Sequence, residues 1–142
     1  MFLFDTDHLT FLQRRQGPEF ERILERVAQH DQSEFFVSII SFHEQALGWH
    51  NYIAKTKQVG DMVIGYRRFE DLLIEFGRYQ VRCFHTAAAD VYEELRSQRV
   101  RVGAMDLRIA SIAIADGLTL LTRNSVDFQR VPNLTFEDWT QG

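Results

Sequence analysis

The sequence predicts an α/β domain, a mainly parallel sheet covered by helices on both faces. Two observations carry this. Short apolar runs alternate along the chain with longer segments whose apolar residues recur every three to four positions, the order of right-handed βαβ units. The first run is apolar throughout instead of alternating with polar residues, as strands buried on both faces are. With 142 residues, 45% of them apolar and 12 of them Phe, the chain has the size and core material of one soluble domain.

Residues 2–5 (Phe-Leu-Phe-Asp) form the first strand, which ends in a carboxylate. A helix follows from Thr6 or Asp7 to about Arg15, with Asp7 as its expected cap. Gly17-Pro18 breaks the chain. Pro18 suits the first turn of a second helix, whose stripe of Phe20, Ile23, Leu24 and Val27 runs toward His30. Glu34–Ile40, aromatic and β-branched, is the second strand. Ser41 is the expected N-cap of a third helix, with Glu44 completing a capping box and Phe42, Ala46, Leu47, Trp49 and Ile53 continuing it.

Met62, Val63, Tyr66, Phe69, Leu72, Leu73 and Phe76 fall in helical register over Val59–Tyr79, a fourth helix. Val81–Phe84 is the third strand, with Cys83 in it as a small buried hydrophobe. Thr86 is expected to cap a helix through Ala87–Arg99. After a loop at Val100–Met105, Asp106 opens an apolar helix, Leu107–Ala115, which Gly117 ends. Leu118–Thr122 is the fourth strand, Arg123–Pro132 a loop or short turn, and Leu134–Phe136 a fifth strand.

Composition narrows the function. A single cysteine excludes an internal disulfide framework and a cysteine-based zinc site. No apolar run approaches the ~20 residues that span a bilayer. The opening MFLFDTDHLTFL has no basic start and is interrupted by Asp5 and Asp7, so the expectation is a cytoplasmic chain without a signal peptide or membrane partner. A net charge of −4 argues against bulk electrostatic binding of nucleic acid. Of the 16 basic residues only Lys55 and Lys57 are not Arg, and Arg offers a planar fork suited to phosphates and bases.

In open parallel sheets ligands bind beyond the carboxyl ends of the strands. Asp5 and Asp7 follow the first strand, Ser41 and Glu44 the second, and Arg123, Asn124 and Asp127 the fourth, while Asp106 opens the helix before it. Four acids distant in sequence, Asp5, Glu44, Asp106 and Asp127, thus converge on one edge of the sheet. Clustered carboxylates repel one another unless protonated or neutralised. A hard cation such as Mg²⁺ or Mn²⁺ takes oxygen ligands, polarises a phosphoryl oxygen and makes hydroxide available from a bound water. It also lets an acidic protein hold RNA or DNA.

Plainer readings stand beside these. Asp106 is also a suitable N-cap, Glu44 a capping-box partner, Asp127 a surface residue and Asp7 a helix cap. Asp5 is harder to explain away, because a charge ending an apolar strand is costly to bury without a partner or metal. His43-Glu44 begins like a zinc-protease helix, but Leu47 stands where the second His is required. The five His are read as structural or surface residues.

Phe4-Asp5-Thr6-Asp7, Glu44, the run from Asp106 through Ile109, Ser111 and Gly117 to Arg123-Asn124, and Asp127-Phe128 together resemble the PIN-domain family, and more narrowly the VapC-type toxins of bacterial toxin–antitoxin pairs. The resemblance extends to Trp139. It implies a single PIN-like domain over 1–142, a three-layer αβα sandwich, and a Mg²⁺- or Mn²⁺-dependent endoribonuclease. Asp5, Glu44 and Asp106 match the family's metal-site acids. Where many members carry a further acid this chain has Asn124, so either Asn124 gives a neutral oxygen ligand, or Asp127 reaches the site, or the site has three acids.

The resemblance further implies that Asp5 and Asp106 hold the ion, that Glu44 binds it through water or acts as general base, and that Arg123 or Arg108 steadies the phosphate. It implies an RNA substrate, a cognate antitoxin and a homodimer. Trp49, Tyr52 and Tyr66 are contact points or core, and Asp90 is a helix-surface acid. Two rivals remain. Asp5-Thr6-Asp7 has the D-x-D spacing of haloacid-dehalogenase-like phosphatases, although Lys55 and Lys57 lie in a helical region and no adjacent Asp pair exists. Asn124 leaves room for a non-catalytic PIN-like module that binds RNA or protein.

Overall fold

The computed structural model describes residues 1–142. Its strands are β1 (Phe2–Phe4), β2 (Phe35–Ser38), β3 (Val81–Arg82), β4 (Thr119–Leu121) and β5 (Phe136–Glu137). They form one sheet in the order β3-β2-β1-β4-β5, with every neighbouring pair parallel. The helices are α1 (Thr6–Arg14), α2 (Pro18–Val27), α3 (Ile39–Lys55), α4 (Val59–Phe76), α5 (Thr86–Ser97), α6 (Ala104–Asp116) and the short α7 (Ser125–Phe128).

The pleat sends successive side chains to opposite faces, and both faces are apolar. Leu3, Phe36 and Leu120 pack against α5 and α6 through Ala88, Leu95, Ile109 and Ile112. Phe4, Phe35, Val37 and Leu121 point the other way, onto Leu9 of α1, Ile23 of α2, Leu72 and Phe76 of α4, and Trp139. The result is the αβα sandwich expected. Each such side chain contributes roughly 1.5–3 kcal/mol on burial. Helix α6 is apolar on nearly every side because the sheet and α5 enclose it, with Leu107, Ile109, Ala110, Ser111, Ile112 and Ala113 all buried.

Boundaries differ from expectation where a side chain finds a long-range or capping partner. The second strand stops at Ser38 and α3 begins at Ile39, because the Ser38 hydroxyl accepts the Ser41 N–H at 3.1 Å. Ser41 is therefore buried inside the helix and is not its cap. Asp5, not Asp7, caps α1, accepting the Thr6 N–H at 2.8 Å. His85 caps α5 in place of Thr86, its Nδ1 accepting the Ala88 N–H. Helix α6 starts from Gly103, which places Asp106 within its first turn and removes the capping role considered for it.

Cys83 lies just past the end of β3 and is exposed. Helix α4 ends at Phe76, the segment after β4 contains α7, and β5 begins at Phe136. Gly117 ends α6 with φ 65°, the left-handed conformation expected of it. Helices α3 and α4 approach so closely that a Cβ on Gly65 would sit 2.6 Å from Ile53. Trp49 is half-buried, whereas Tyr52 and Tyr66 are exposed.

Burial sets the expected mutational scale. Ile109→Ala, at a fully buried site, is expected to cost about 2–5 kcal/mol in urea unfolding. Leu73→Ala, on the exposed side of α4, is expected to stay within about 0.5 kcal/mol. Equal losses at the two positions would contradict this packing.

Candidate functional site

Strand order reverses between β1 and β4: chain order runs outward to β2 and β3 on one side and to β4 and β5 on the other. This is the switch point at which open α/β sheets form a crevice. Phe4 pairs with Leu121, so the next residues, Asp5 and Thr122, emerge side by side. The Asp5 N–H donates to the Leu121 carbonyl at 2.9 Å, and the Thr122 hydroxyl donates to Asp5 Oδ2 at 2.7 Å. The Asp5 carboxylate is 4% exposed, has neutral donors on both oxygens, and has no cationic side chain paired with it.

The other acids arrive from three directions. Asp7, one turn into α1, accepts the Arg123 N–H on Oδ2 at 2.9 Å and the His8 ring on Oδ1 at 2.8 Å. From α3, Glu44 Oε1 accepts the Thr6 hydroxyl at 2.9 Å, and Ser41 Oγ lies 2.9 Å from the same hydroxyl. Because α3 starts at Ile39, Glu44 is past the capping position and its carboxylate is free to face Thr6. From α6 comes Asp106. Between Asp106 and Asp127 sits Asn124, which donates Nδ2–H to Asp127 Oδ2 at 2.9 Å and lies 3.5 Å from Asp106 Oδ2.

The electrostatics follow from crowding. Burial, then the neighbouring Asp7 charge, pushes the Asp5 carboxyl up to about 7. Asp106 is raised by burial and by the charges of Asp127 and Asp7. Glu44 is raised by burial and by Asp106, against the Thr6 hydrogen bond. Asp106 is thus the acid to which Asp5, Glu44, Asp7 and Asp127 all couple.

The cluster therefore contains Asp5, Glu44, Asp106, Asn124 and Asp127. The arginines are different. Arg123 contributes its backbone N–H, but its guanidinium lies 5.3 Å from the Phe11 ring. Arg108 reaches Met105 Sδ and not an acid. Asp7, read from sequence as a cap, belongs to the cluster, as do Thr6 and Thr122. Thr122 had a legible signal, since it ends the fourth strand as Asp5 ends the first. A cavity of about 480 Å³ between Leu9, Leu12, Val27, Phe35 and Tyr79 contains none of these acids.

No three His, Cys, Asp or Glu side chains lie close enough to enclose a metal ion by themselves. An ion of the Mg²⁺ type does not need such a cage, because one or two carboxylates with retained waters and substrate phosphate suffice. The donors here are oxygens, and the buried Asp5 carboxylate lacks a cation. The residues fit that kind of ion.

No family model matches the chain. Over 70 residues it is 39% identical to ribonuclease VapC2 of Rickettsia felis, a match covering 46% of this chain and 52% of that protein, so it spans about half of the relative's length. In structure the likeness extends over nearly the whole chain. The crystal structure of VapBC2 from Rickettsia felis, bound to a DNA fragment from its promoter, contains a chain matching with a TM-score of 0.70 at 26% identity, over 97% of this chain and 98% of that one. DNA-bound VapBC from Salmonella typhimurium matches with a TM-score of 0.72 at 27% identity, over 97% of both chains. In sequence and in fold this chain is similar to the VapC proteins.

Directly after Arg123, the Asn124 amide ties Asp127 back toward Asp106. The crowding has a thermodynamic consequence. An unfolded Asp5 ionises near 3.8, whereas the folded one holds its proton to about 7. The native state therefore binds more protons between about pH 4 and 7, and stability falls as pH rises through that window. At 1.36 kcal/mol per unit the loss is about 4 kcal/mol. In metal-free protein, Tm is expected to decline from pH 5 to 7.5, and Asp5→Asn to flatten the decline and raise Tm at pH 7.5. A wild-type Tm that rises over that range would sink this account.

Proposed function

We propose that this chain is a divalent-metal-dependent endoribonuclease and the toxin of a toxin–antitoxin pair. The observation that carries the reading is the set of neighbouring acids, Asp5 buried and Glu44 and Asp106 half-buried, at the switch point of a VapC-like fold. The name ribonuclease of the Rickettsia relative and the VapBC complexes among the similar structures support it. In this reading the substrate is RNA, a cognate antitoxin holds the protein in check, and the chain works as a homodimer in the cytoplasm. No helix is long and apolar enough to cross a membrane.

Asp5 and Asp106 would hold the ion, Mg²⁺ or Mn²⁺, with Asp127 near Asp106 through Asn124. When bound, such an ion supplies positive charge to a phosphoryl oxygen and acidifies a water. The chain's own residues do the rest. The Thr122 hydroxyl and Thr6 N–H orient the two oxygens of Asp5. The Thr6 hydroxyl steadies Glu44 on one oxygen, leaving the other to take the proton of the attacking water. Burial and Asp106 raise the Glu44 carboxyl, which brings its basicity closer to neutral pH. With a net charge of −4, the surface does not attract RNA by bulk charge, so approach of phosphate to these acids depends on the cation.

Purified protein free of antitoxin is expected to cleave a mixed set of single-stranded and structured RNAs in Mg²⁺ or Mn²⁺. EDTA and Asp5→Asn should each abolish cleavage, and Glu44→Gln should lower kcat by about 10²-fold or more. Cleavage that survives Asp5→Asn would place the chemistry elsewhere. Asp127→Ala is expected to weaken Mn²⁺ binding about tenfold, and Arg123→Ala to leave it near wild type, as titration calorimetry would show. The reverse order would make Arg123, not Asp127, part of the site.

A further inference from the structure

His8 is the one fully buried histidine, and nothing in the proposed chemistry uses it. Its two nitrogens have distinct partners. The Trp139 backbone N–H donates to Nε2 at 3.1 Å, so Nε2 must carry a lone pair. The ring proton is then on Nδ1, which donates to Asp7 Oδ1 at 2.8 Å. Asp138 Oδ1 lies 3.7 Å from Nε2 and is already engaged by the Thr140 N–H and hydroxyl. With Oδ1 held by His8, Asp7 presents Oδ2 to the Arg123 N–H at 2.9 Å. That fixes the turn in which the Thr122 hydroxyl accepts the Asn124 N–H at 3.0 Å and donates to Asp5.

We propose that His8 is a positioning residue: held by the Trp139 amide on one side, it orients Asp7, and through Asp7 the turn after β4 that carries Thr122 and Asn124 into the acidic site. The inference rests on the reading of that site as a metal centre. Buried groups that orient ligands from behind are worth about 10–100-fold in metal affinity. Any buried histidine needs partners for its nitrogens; what sets His8 apart is that one partner is Asp7, whose other oxygen holds the turn after β4.

Two replacements separate the nitrogens. Asn at position 8 puts an amide near the Nδ1 position and can donate to Asp7, while Gln places one near Nε2 and can accept from Trp139. Both are expected to lower Tm. Only His8→Gln should weaken Mn²⁺ binding, by about tenfold or more, with His8→Asn within about threefold of wild type. Amide hydrogen exchange in metal-free protein should split the same way: the Arg123 N–H speeds up in His8→Gln, the Trp139 N–H in His8→Asn.

Equal Mn²⁺ affinity and equal Arg123 exchange in the two variants would overturn the proposal. If neither variant folds, ring ¹⁵N shifts of wild-type His8 decide, since a neutral Nδ1–H tautomer is required and an Nε2–H form would refute it. The exchange and ¹⁵N readouts need neither metal nor RNA. A wild type that binds Mn²⁺ but cuts no RNA would thus count against the ribonuclease reading alone, and one that binds no Mn²⁺ against the metal centre, with His8 still judged by exchange.

Discussion

The pairing of β1 with β4 is the contact on which the site depends. It sets Phe4 beside Leu121 and so brings Asp5 and Thr122 together across 117 residues of sequence. Both strands are buried on both faces, so a slip of one residue would exchange Leu3 for Phe4 and Leu120 for Leu121 between two different cores. Register is therefore held by hydrophobic burial far in excess of any single polar contact. The carboxylate at the strand end inherits that precision.

The same burial makes the site unfavourable as it stands. Asp5, Glu44 and Asp106 each hold their protons more tightly than an exposed acid, chiefly because each is desolvated and then because their neighbours are also acids. Hydroxyls and backbone amides are the compensation the fold provides: Thr6, Thr122 and the Arg123 N–H all donate into the cluster. These donors orient the oxygens without cancelling the charge. A bound cation would offset the repulsion in such a cluster in a way that another neutral hydrogen bond would not.

Three layers of support surround the acids. Strand ends and α1 place Asp5 and Asp7, α3 and α6 bring in Glu44 and Asp106, and the turn capped by Asn124 adds Asp127. Behind Asp7, His8 links this arrangement to the segment at Trp139, itself buried against Phe2 and Phe35 on the α1 side of the sheet. The last part of the chain thereby contributes to a site formed near its beginning.

Much of this was legible in sequence. Apolar runs such as Phe2–Phe4 and Thr119–Leu121 are strands because only a doubly covered sheet accommodates them. The order of runs and stripes determined the αβα class, and the acids at strand ends marked the crevice. What tertiary structure alone decided was which polar group answers which. Ser38 took the cap from Ser41, Asp5 took it from Asp7, and Asp7 turned to Arg123 and His8. Local pattern cannot show this, because a capping side chain is chosen among neighbours two or three residues apart, and distant partners settle the choice. Hydrophobic periodicity is written along the chain; the hydrogen bonds of a buried carboxylate exist only once strands over a hundred residues apart have met.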